Sequence, residues 1–471
     1  MLLSASTSLL GSALLISSAL ATPAHPPIQG TNKQKGPANV TASSDWKSAI
    51  KNVVILVLEN RSFDSVFGDV SYDPSINSLV GKQYCNPINI TTGNLGSICA
   101  SNTLPDVSPE DPDHGISGVN MQVFGTWHPE ESSVQSGSQK PVMDGFVTQQ
   151  LNRYHTDNIT IGVRPIDYLS AQQVPILTSL AKEYVLFDRW FADVPGPTNP
   201  NRAYLTSGTS HGHGRNDVLF NWGGLPQYSI FQALSEKNMS WINYSNTTNA
   251  SAAYIAPEDK TSGGFNPDAL FYNWTVATKA YETNIKPLSQ FYNDARDGKL
   301  PQLSYINPEC CSYDSFHPPS PVSMGEAFVK KVYEALRTSS QWNETLLILT
   351  FDEHGGFADH VPPPSNVPAG DQLTYTEKAL DGANITFAFD RMGIRVPTIL
   401  VSPWVGKGVV EHKRDGQDGE YSASSIIATL GKLWDLPNFS PRTAWSSTFE
   451  HLFLGEQRAD AVRHLPGSAQ D

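Results

Sequence analysis

Three short apolar runs stand out along the chain: Asn52 to Leu58 (NVVILVL), Thr345 to Phe351 (TLLILTF) and Val396 to Val401 (VPTILV). They are continuous rather than alternating and rich in β-branched residues, the pattern of strands buried on both faces of a parallel sheet. Tyr184 to Phe187 and Gln302 to Ile306 have the same texture more weakly. Between the runs, apolar residues recur at steps of three and four over Ile176 to Glu183, Gly325 to Thr338 and Ser424 to Leu436. That spacing predicts helices with one buried face. Strands alternating with helices predict an α/β fold, a three-layer α/β/α sandwich around a mostly parallel sheet. From about 222 to 300 no buried-strand run occurs and Asn, Tyr and Trp crowd the sequence, so this stretch reads as an insertion or cap. Residues 22–48, rich in Pro, Ser, Thr, Asn and Gly, read as a flexible N-terminal arm. One domain is expected over 49–445, with its fold starting near Lys51, and a C-terminal tail over 446–471.

Composition narrows the function. Hydrophobic residues make up 39% of the 471 and charged residues 17%, enough apolar surface for a large core. The net charge of −14 and the lack of a long basic run exclude a nucleic-acid partner, whose phosphates need a positive surface. Residues 1–21 are apolar and end in Ala19-Leu20-Ala21, the small-x-small pattern of a signal-peptide cleavage site. Asn-x-Ser/Thr sequons at Asn39, Asn89, Asn158, Asn238, Asn243, Asn246, Asn249, Asn273, Asn343 and Asn384 fit a secreted glycoprotein, extracellular or held in a cell wall. The four cysteines, Cys85, Cys99, Cys310 and Cys311, are spaced wrongly for a zinc site. In an oxidising compartment they allow three pairings. Cys85 with Cys99 is the favoured one; the adjacent pair reaching across to the first two is the alternative.

The chemistry lies in the residues directly after each strand, because ligands of open α/β sheets bind outside the carboxyl ends. The first run leads into Glu59-Asn60-Arg61-Ser62-Phe63-Asp64, and the second into Asp352-Glu353-His354-Gly355-Gly356, then Asp359-His360. Glu59, Asn60, Asp352 and Glu353 offer hard oxygen ligands whose mutual repulsion a divalent cation (Ca²⁺, Mg²⁺, Mn²⁺ or Zn²⁺) would relieve. Each residue alone also suits a helix cap, but two acidic pairs at two strand ends favour a metal or catalytic site. Thr198 sits in a proline-stiffened Gly-Pro-Thr-Asn-Pro-Asn-Arg segment, where its hydroxyl reads either as a metal-activated nucleophile or as part of a plain turn. His114, His317 and His360 lie among loop residues and suit phosphoryl-oxygen binding or proton donation.

These motifs resemble the phosphoesterase family of bacterial, plant and fungal phospholipases C, which also includes acid phosphatases. Glu59-Asn-Arg-Ser-Phe-Asp64, Asp111-Pro-Asp-His114, Met143-Asp-Gly-Phe146, Pro197-Thr-Asn-Pro-Asn-Arg202, His317-Pro-Pro and Asp352-Glu-His-Gly-Gly-Phe-Ala-Asp-His-Val361 occur in the family's order. The resemblance implies an alkaline-phosphatase-like core, metal ligands at Glu59, Asn60, Asp352 and Glu353, and a nucleophile at Thr198. It places His114, His317 and His360 in the catalytic site, with Asn201, Arg202 and His354 read as substrate-binding. Bacterial members commonly carry extra C-terminal β domains; here 70 residues follow Val401, like the compact fungal and plant members. The implied activity is hydrolysis of phosphatidylcholine or a similar phospholipid to diacylglycerol and phosphorylated head group, with transient contact to a membrane surface. A secreted acid phosphatase acting on other phosphate esters is the alternative. A non-catalytic secreted binding glycoprotein is the reading from another class.

Overall fold

A computed structural model describes residues 46–221, 223–246, 267–308 and 314–467. The leader, most of the arm, Cys310, Cys311 and the sequons at Asn39 and Asn249 lie outside these residues. Eight strands form the central sheet: β1 (Asn52–Leu58), β2 (Val185–Phe187), β3 (Trp241–Ser245), β4 (Ile285–Pro287), β5 (Leu303–Asn307), β6 (Thr345–Phe351), β7 (Thr398–Val401) and β8 (Val409–Glu411). Their order is β8-β2-β7-β6-β1-β5-β3-β4. Only β7 runs against its neighbours; every other pair is parallel. All seven positions of β1 and of β6 are buried, which is why neither strand shows polar alternation.

Six helices matter for the site: α1 (Pro175–Glu183), α2 (Thr198–Ser207), α3 (Ile230–Glu236), α4 (Leu288–Asp297), α5 (Val322–Thr338) and α6 (Ala423–Trp434). They fall into two sets that pack among themselves, α5 with α1 and α4, and α2 with α6 and α3. With the sheet they make the three layers expected of an α/β/α sandwich. Among the described residues no helix is long and apolar enough to cross a membrane.

Three findings bear on the expected organisation. The 222–300 stretch, expected as an insertion or cap, supplies β3 and β4 at one edge of the sheet. The polar Asn243 hid β3: it is fully buried in the strand, and its side-chain amide donates to Asn307 Oδ1 (2.7 Å) and Tyr305 O (3.3 Å). In the stretch expected as a C-terminal tail, Phe449 and Phe453 are completely buried and Leu465 nearly so. Trp46, within the expected arm, belongs to the fold, its indole stacked on Phe453 with ring centroids 5.2 Å apart. The Cys85–Cys99 disulfide is present and joins paired residues of a two-stranded hairpin.

Candidate active site

β1 and β6 are adjacent and parallel, with Leu58 opposite Phe351, so Glu59 and Asp352 leave the sheet side by side at its carboxyl edge. Arg202, one helical turn after Thr198 on α2, lies between them. Its Nη2 donates to Glu59 Oε1 (2.9 Å) and its Nε to Asp352 Oδ2 (2.9 Å), while Nη1 is 3.6 Å from Asp268 Oδ1. All four side chains are buried. Burial opposes the charged guanidinium, but Asp268, Asp352 and Glu59 together outweigh it and raise its pKa. Burial drives Glu59 well above the usual carboxylate range, against the pull of Arg202, and lifts Asp352 to about 6.

Tight backbone packing holds the two strand ends together. Asn60 adopts a left-handed conformation (φ 57°), and its N–H and that of Glu353 donate to Asp352 Oδ1 at 3.3 and 2.7 Å. A Cβ on Gly355 (φ 63°) would sit 2.3 Å from the Asn60 carbonyl oxygen, so the Gly-Gly after His354 is a steric requirement. Gly356 likewise packs on Pro112 and Asp113, which brings the loop carrying His114 to the same edge.

Several buried polar atoms at this edge have no hydrogen-bond partner: Glu59 Oε2, both side-chain atoms of Asn60, Glu353 Oε1 and Thr198 Oγ1. An unsatisfied buried polar group costs about 1–3 kcal/mol, and more when it is charged. Acceptor oxygens left without donors are what an oxygen-coordinated divalent cation requires, so the residues present fit such an ion.

The histidines divide. His114 has Nδ1 2.8 Å from Pro112 O and Nε2 3.8 Å from Glu353 Oε1. Burial lowers its pKa, but Glu353 and Asp111 prevail and hold it up to about 9. His317 has Nδ1 2.5 Å from Pro318 O, and burial pulls its pKa down. Arg61 Nε donates to the carbonyl of Phe316, next to His317, at 3.1 Å, and the guanidinium lies over the Phe357 ring, while its two terminal nitrogens have no acceptor.

His360 goes elsewhere. It joins Asp64 and Asp359 in an acidic–histidine cluster with the spacing of a metal site. There Arg395 already supplies the cation, with Nη2 on Asp64 Oδ1 (3.0 Å) and Nε on Asp359 Oδ1 (2.9 Å), and His360 Nδ1 is 2.6 Å from Asp64 Oδ2. Backbone N–H groups of His360 and Val361 also donate to these carboxylates. The cluster is therefore a self-satisfied ion network, and the structure groups His360 with it and not with Thr198.

The three residues expected to bind substrate all have protein partners. The Asn201 amide is fully engaged by backbone, accepting from Val194 N and donating to the carbonyls of Val194, Gly196 and Pro197. It fixes the turn that presents Thr198. Arg202 is held by carboxylates, and His354 is buried between Glu353 Oε2 (3.4 Å) and Gln122 Oε1 (3.2 Å). Asp268, which sequence reasoning missed, belongs to the stretch taken for an insertion, and no local pattern marks it. Arg395 was missed because β7 is reversed, which puts the residues before that strand at the carboxyl edge of the others.

An unpartnered hydroxyl beside buried carboxylates, at the carboxyl edge of an α/β sandwich, is the equipment of a hydrolase acting on phosphoric ester bonds. The profile of the Phosphoesterase family matches residues 50–437, and the chain belongs to that family. Among curated proteins it is similar to "Non-specific phospholipase C6" of Arabidopsis thaliana, 39% identical and covering 90% of this chain and 76% of that one. It also resembles "Non-specific phospholipase C1" of the same plant, at 36% identity over 88% and 74% of the two chains. "Non-hemolytic phospholipase C" of Burkholderia pseudomallei is 25% identical, over 77% of this chain and 52% of that one. Among solved structures, a protein in the alkaline phosphatase superfamily from Vibrio parahaemolyticus aligns at 12% identity and TM-score 0.33, covering 59% of this chain and 65% of that one.

Proposed function

We propose that the protein is a secreted phospholipase C that cleaves phosphatidylcholine or a similar phospholipid, with Thr198 as nucleophile. The observation that carries this reading is the Thr198 hydroxyl, buried and unpartnered at the first residue of α2, in a turn anchored by Asn201 and by Arg202 on the strand-end carboxylates. The names of the plant and bacterial relatives support phospholipid as substrate. The apolar leader ending in Ala-Leu-Ala, the sequons and the disulfide support secretion.

Glu59, Asn60, Asp352 and Glu353 would hold a divalent cation (Ca²⁺, Mg²⁺, Mn²⁺ or Zn²⁺), which supplies Lewis-acid charge to the phosphoryl centre. Thr198 Oγ1, its proton released to solvent, attacks phosphorus, forming a phosphothreonine diester to the head group, while the bond to the diacylglycerol oxygen breaks. His114, protonated at neutral pH, gives its proton to that leaving oxygen. Arg61 and His114 offer positive charge to the phosphoryl oxygens during the transfer. Water then cleaves the phosphothreonine, releasing the phosphorylated head group and restoring the hydroxyl.

The test assays the purified protein on phosphatidylcholine, p-nitrophenyl phosphorylcholine and p-nitrophenyl phosphate, with and without chelator. Chelator-sensitive diester cleavage is expected. Thr198→Ala should lower turnover by at least about 10³-fold with its melting curve unchanged. Near-normal turnover in that folded variant would remove Thr198 as nucleophile, and cleavage of the monoester alone would make the protein a phosphatase.

A further inference from the structure

The sequons associated with the central sheet fall at different places along its strands. Asn238 lies in the turn before β3 and Asn343 in the helical turn before β6, so both stand at the amino edge. Asn60, in Asn60-Arg-Ser, follows β1, Asn243 lies within β3, and Asn246 follows β3 at the carboxyl edge. The two edges are separated by the length of a strand, about 20 Å for the seven residues of β6.

A glycan attaches to the side-chain amide nitrogen, and the surroundings of that atom divide the same five residues. Asn238 and Asn343 are exposed, and neither amide nitrogen has a hydrogen-bond partner among the described residues. Asn343 is oriented through its acceptor atoms instead: Gln457 Nε2 donates to Oδ1 (2.6 Å) and the Trp404 indole donates to the main-chain oxygen (2.8 Å). A surface cavity of about 340 Å³, lined in part by Asn343, Glu344, Trp404 and Gln457, gives room for a first sugar beside the half-buried Trp404. Asn243, by contrast, is fully buried, with its nitrogen donating to Asn307 Oδ1 (2.7 Å) and Tyr305 O (3.3 Å). Asn60 is fully buried as well, and the half-buried Asn246 donates from the same atom to Asp314 Oδ2 (3.2 Å).

We propose that Asn238 and Asn343 carry N-linked glycans and that Asn60, Asn243 and Asn246 do not, so that the sheet is glycosylated at the edge opposite the candidate site and at no strand end on the site's own edge. The inference rests on the reading that the chain is secreted.

Glycan transfer forms a bond from the amide nitrogen to the anomeric carbon of a lipid-linked oligosaccharide; the bond from that carbon to the diphosphate carrier breaks, and the nitrogen gives up one proton. The amide oxygen is untouched, so Gln457 still holds Asn343. At Asn243 the sugar would replace a donated hydrogen bond and leave a buried acceptor unpaired, at a cost of about 1–3 kcal/mol, in a strand position with no exposed surface. Attachment precedes folding, so a chain modified there cannot pair β3 with β5 and is not recovered folded. Glycans at the amino edge project away from the strand ends that hold Glu59 and Asp352, whereas one at Asn60 or Asn246 would stand on the edge that substrate has to reach.

The experiment expresses the full-length chain with its own leader in a eukaryotic secretory host, recovers protein from the medium, and maps the occupied asparagines by mass spectrometry after glycosidase release in heavy-oxygen water, which converts each occupied site to a labelled aspartate. Asn158, Asn273 and Asn384, exposed and outside the central sheet, report whether the chain met the glycosylation machinery. Label is expected at Asn238 and Asn343 in most chains and at none of Asn60, Asn243 and Asn246. Asn238→Gln and Asn343→Gln should each gain gel mobility by one glycan, and the double variant by two. Label at Asn60, Asn243 or Asn246 in cooperatively melting protein overturns the proposal. Label at Asn158, Asn273 or Asn384 without label at both Asn238 and Asn343 also overturns it, and leaves the secretion reading intact, as does protein in the medium with no label at all. Unlabelled protein that stays in the cell overturns both.

Discussion

Glu326 on α5 shows how a single buried side chain can make stability depend on pH. Its carboxylate accepts from the N–H groups of Ile176 (2.5 Å) and Leu177 (3.1 Å), two of the donors left unpaired at the start of α1. Burial nevertheless pushes its pKa from 4.5 up to about 8. Because the folded value is the higher one, the folded protein binds the proton more tightly than the unfolded chain does. The group's contribution to stability is therefore full below about pH 4.5 and lost as pH rises towards 8. The loss is on the order of a few kcal/mol at most. Glu326→Gln cannot ionise, so its denaturation midpoint should fall less than that of wild type between pH 5 and 8; parallel changes in the two proteins would contradict this.

At the scale of elements, the turn after β6 is tightly constrained. Asn60 and Gly355 both occupy left-handed backbone conformations and touch through the Asn60 carbonyl, so the strand ends lock by backbone shape before any side chain acts. Gly355→Ala combines an unfavourable positive φ, about 1–2 kcal/mol for a residue with a Cβ, with a backbone clash that no rotamer relieves. It should lower stability by roughly 3 kcal/mol or more and shift the thermal midpoint by several degrees. Turnover should fall with it, since Glu59, Asn60, Asp352 and Glu353 move with this turn. A variant that melts like wild type would mean that the turn is held by something other than this contact.

The fold as a whole closes only through its last residues. Phe449 meets Phe187 and Trp190, and Phe453 stacks on Trp46 and bridges to Val405, so Trp46 and these C-terminal residues pack into the same hydrophobic core. Full burial of each large apolar side chain stabilises by about 1.5–3 kcal/mol. Losing Phe449, Leu452, Phe453 and Leu465 together would remove much of a total stability that is typically about 5–15 kcal/mol. A chain ending at Trp445 should thus be insoluble or bind a hydrophobic dye without a cooperative melt, as judged by thermal denaturation. A soluble, cooperatively melting truncation would show this cluster to be dispensable.

What was legible from sequence were features whose signal is local. β1 and β6 are readable because a strand buried on both faces must be apolar at every position, and the long helices because their buried face repeats every three to four residues. The polar residues after those strands were legible too, since acidic side chains directly after a buried strand need a reason to be there. β3 was not legible: Asn243 is tolerated in its middle only because Asn307 and Tyr305, more than sixty residues away, satisfy its amide. The partners of Asn201, Arg202 and His360 were likewise not legible, because no local pattern marks them and those of Arg202 and His360 come from distant segments. Arg202 could have faced a substrate, but three carboxylates from distant segments surround it and offset the cost of burying its charge. Sequence pattern thus determined the fully buried strands, the long helices and which residue types crowd the sheet's edge. Tertiary structure alone decided their hydrogen-bond and ion-pair partners, because those are set by competition among groups that only folding brings within reach.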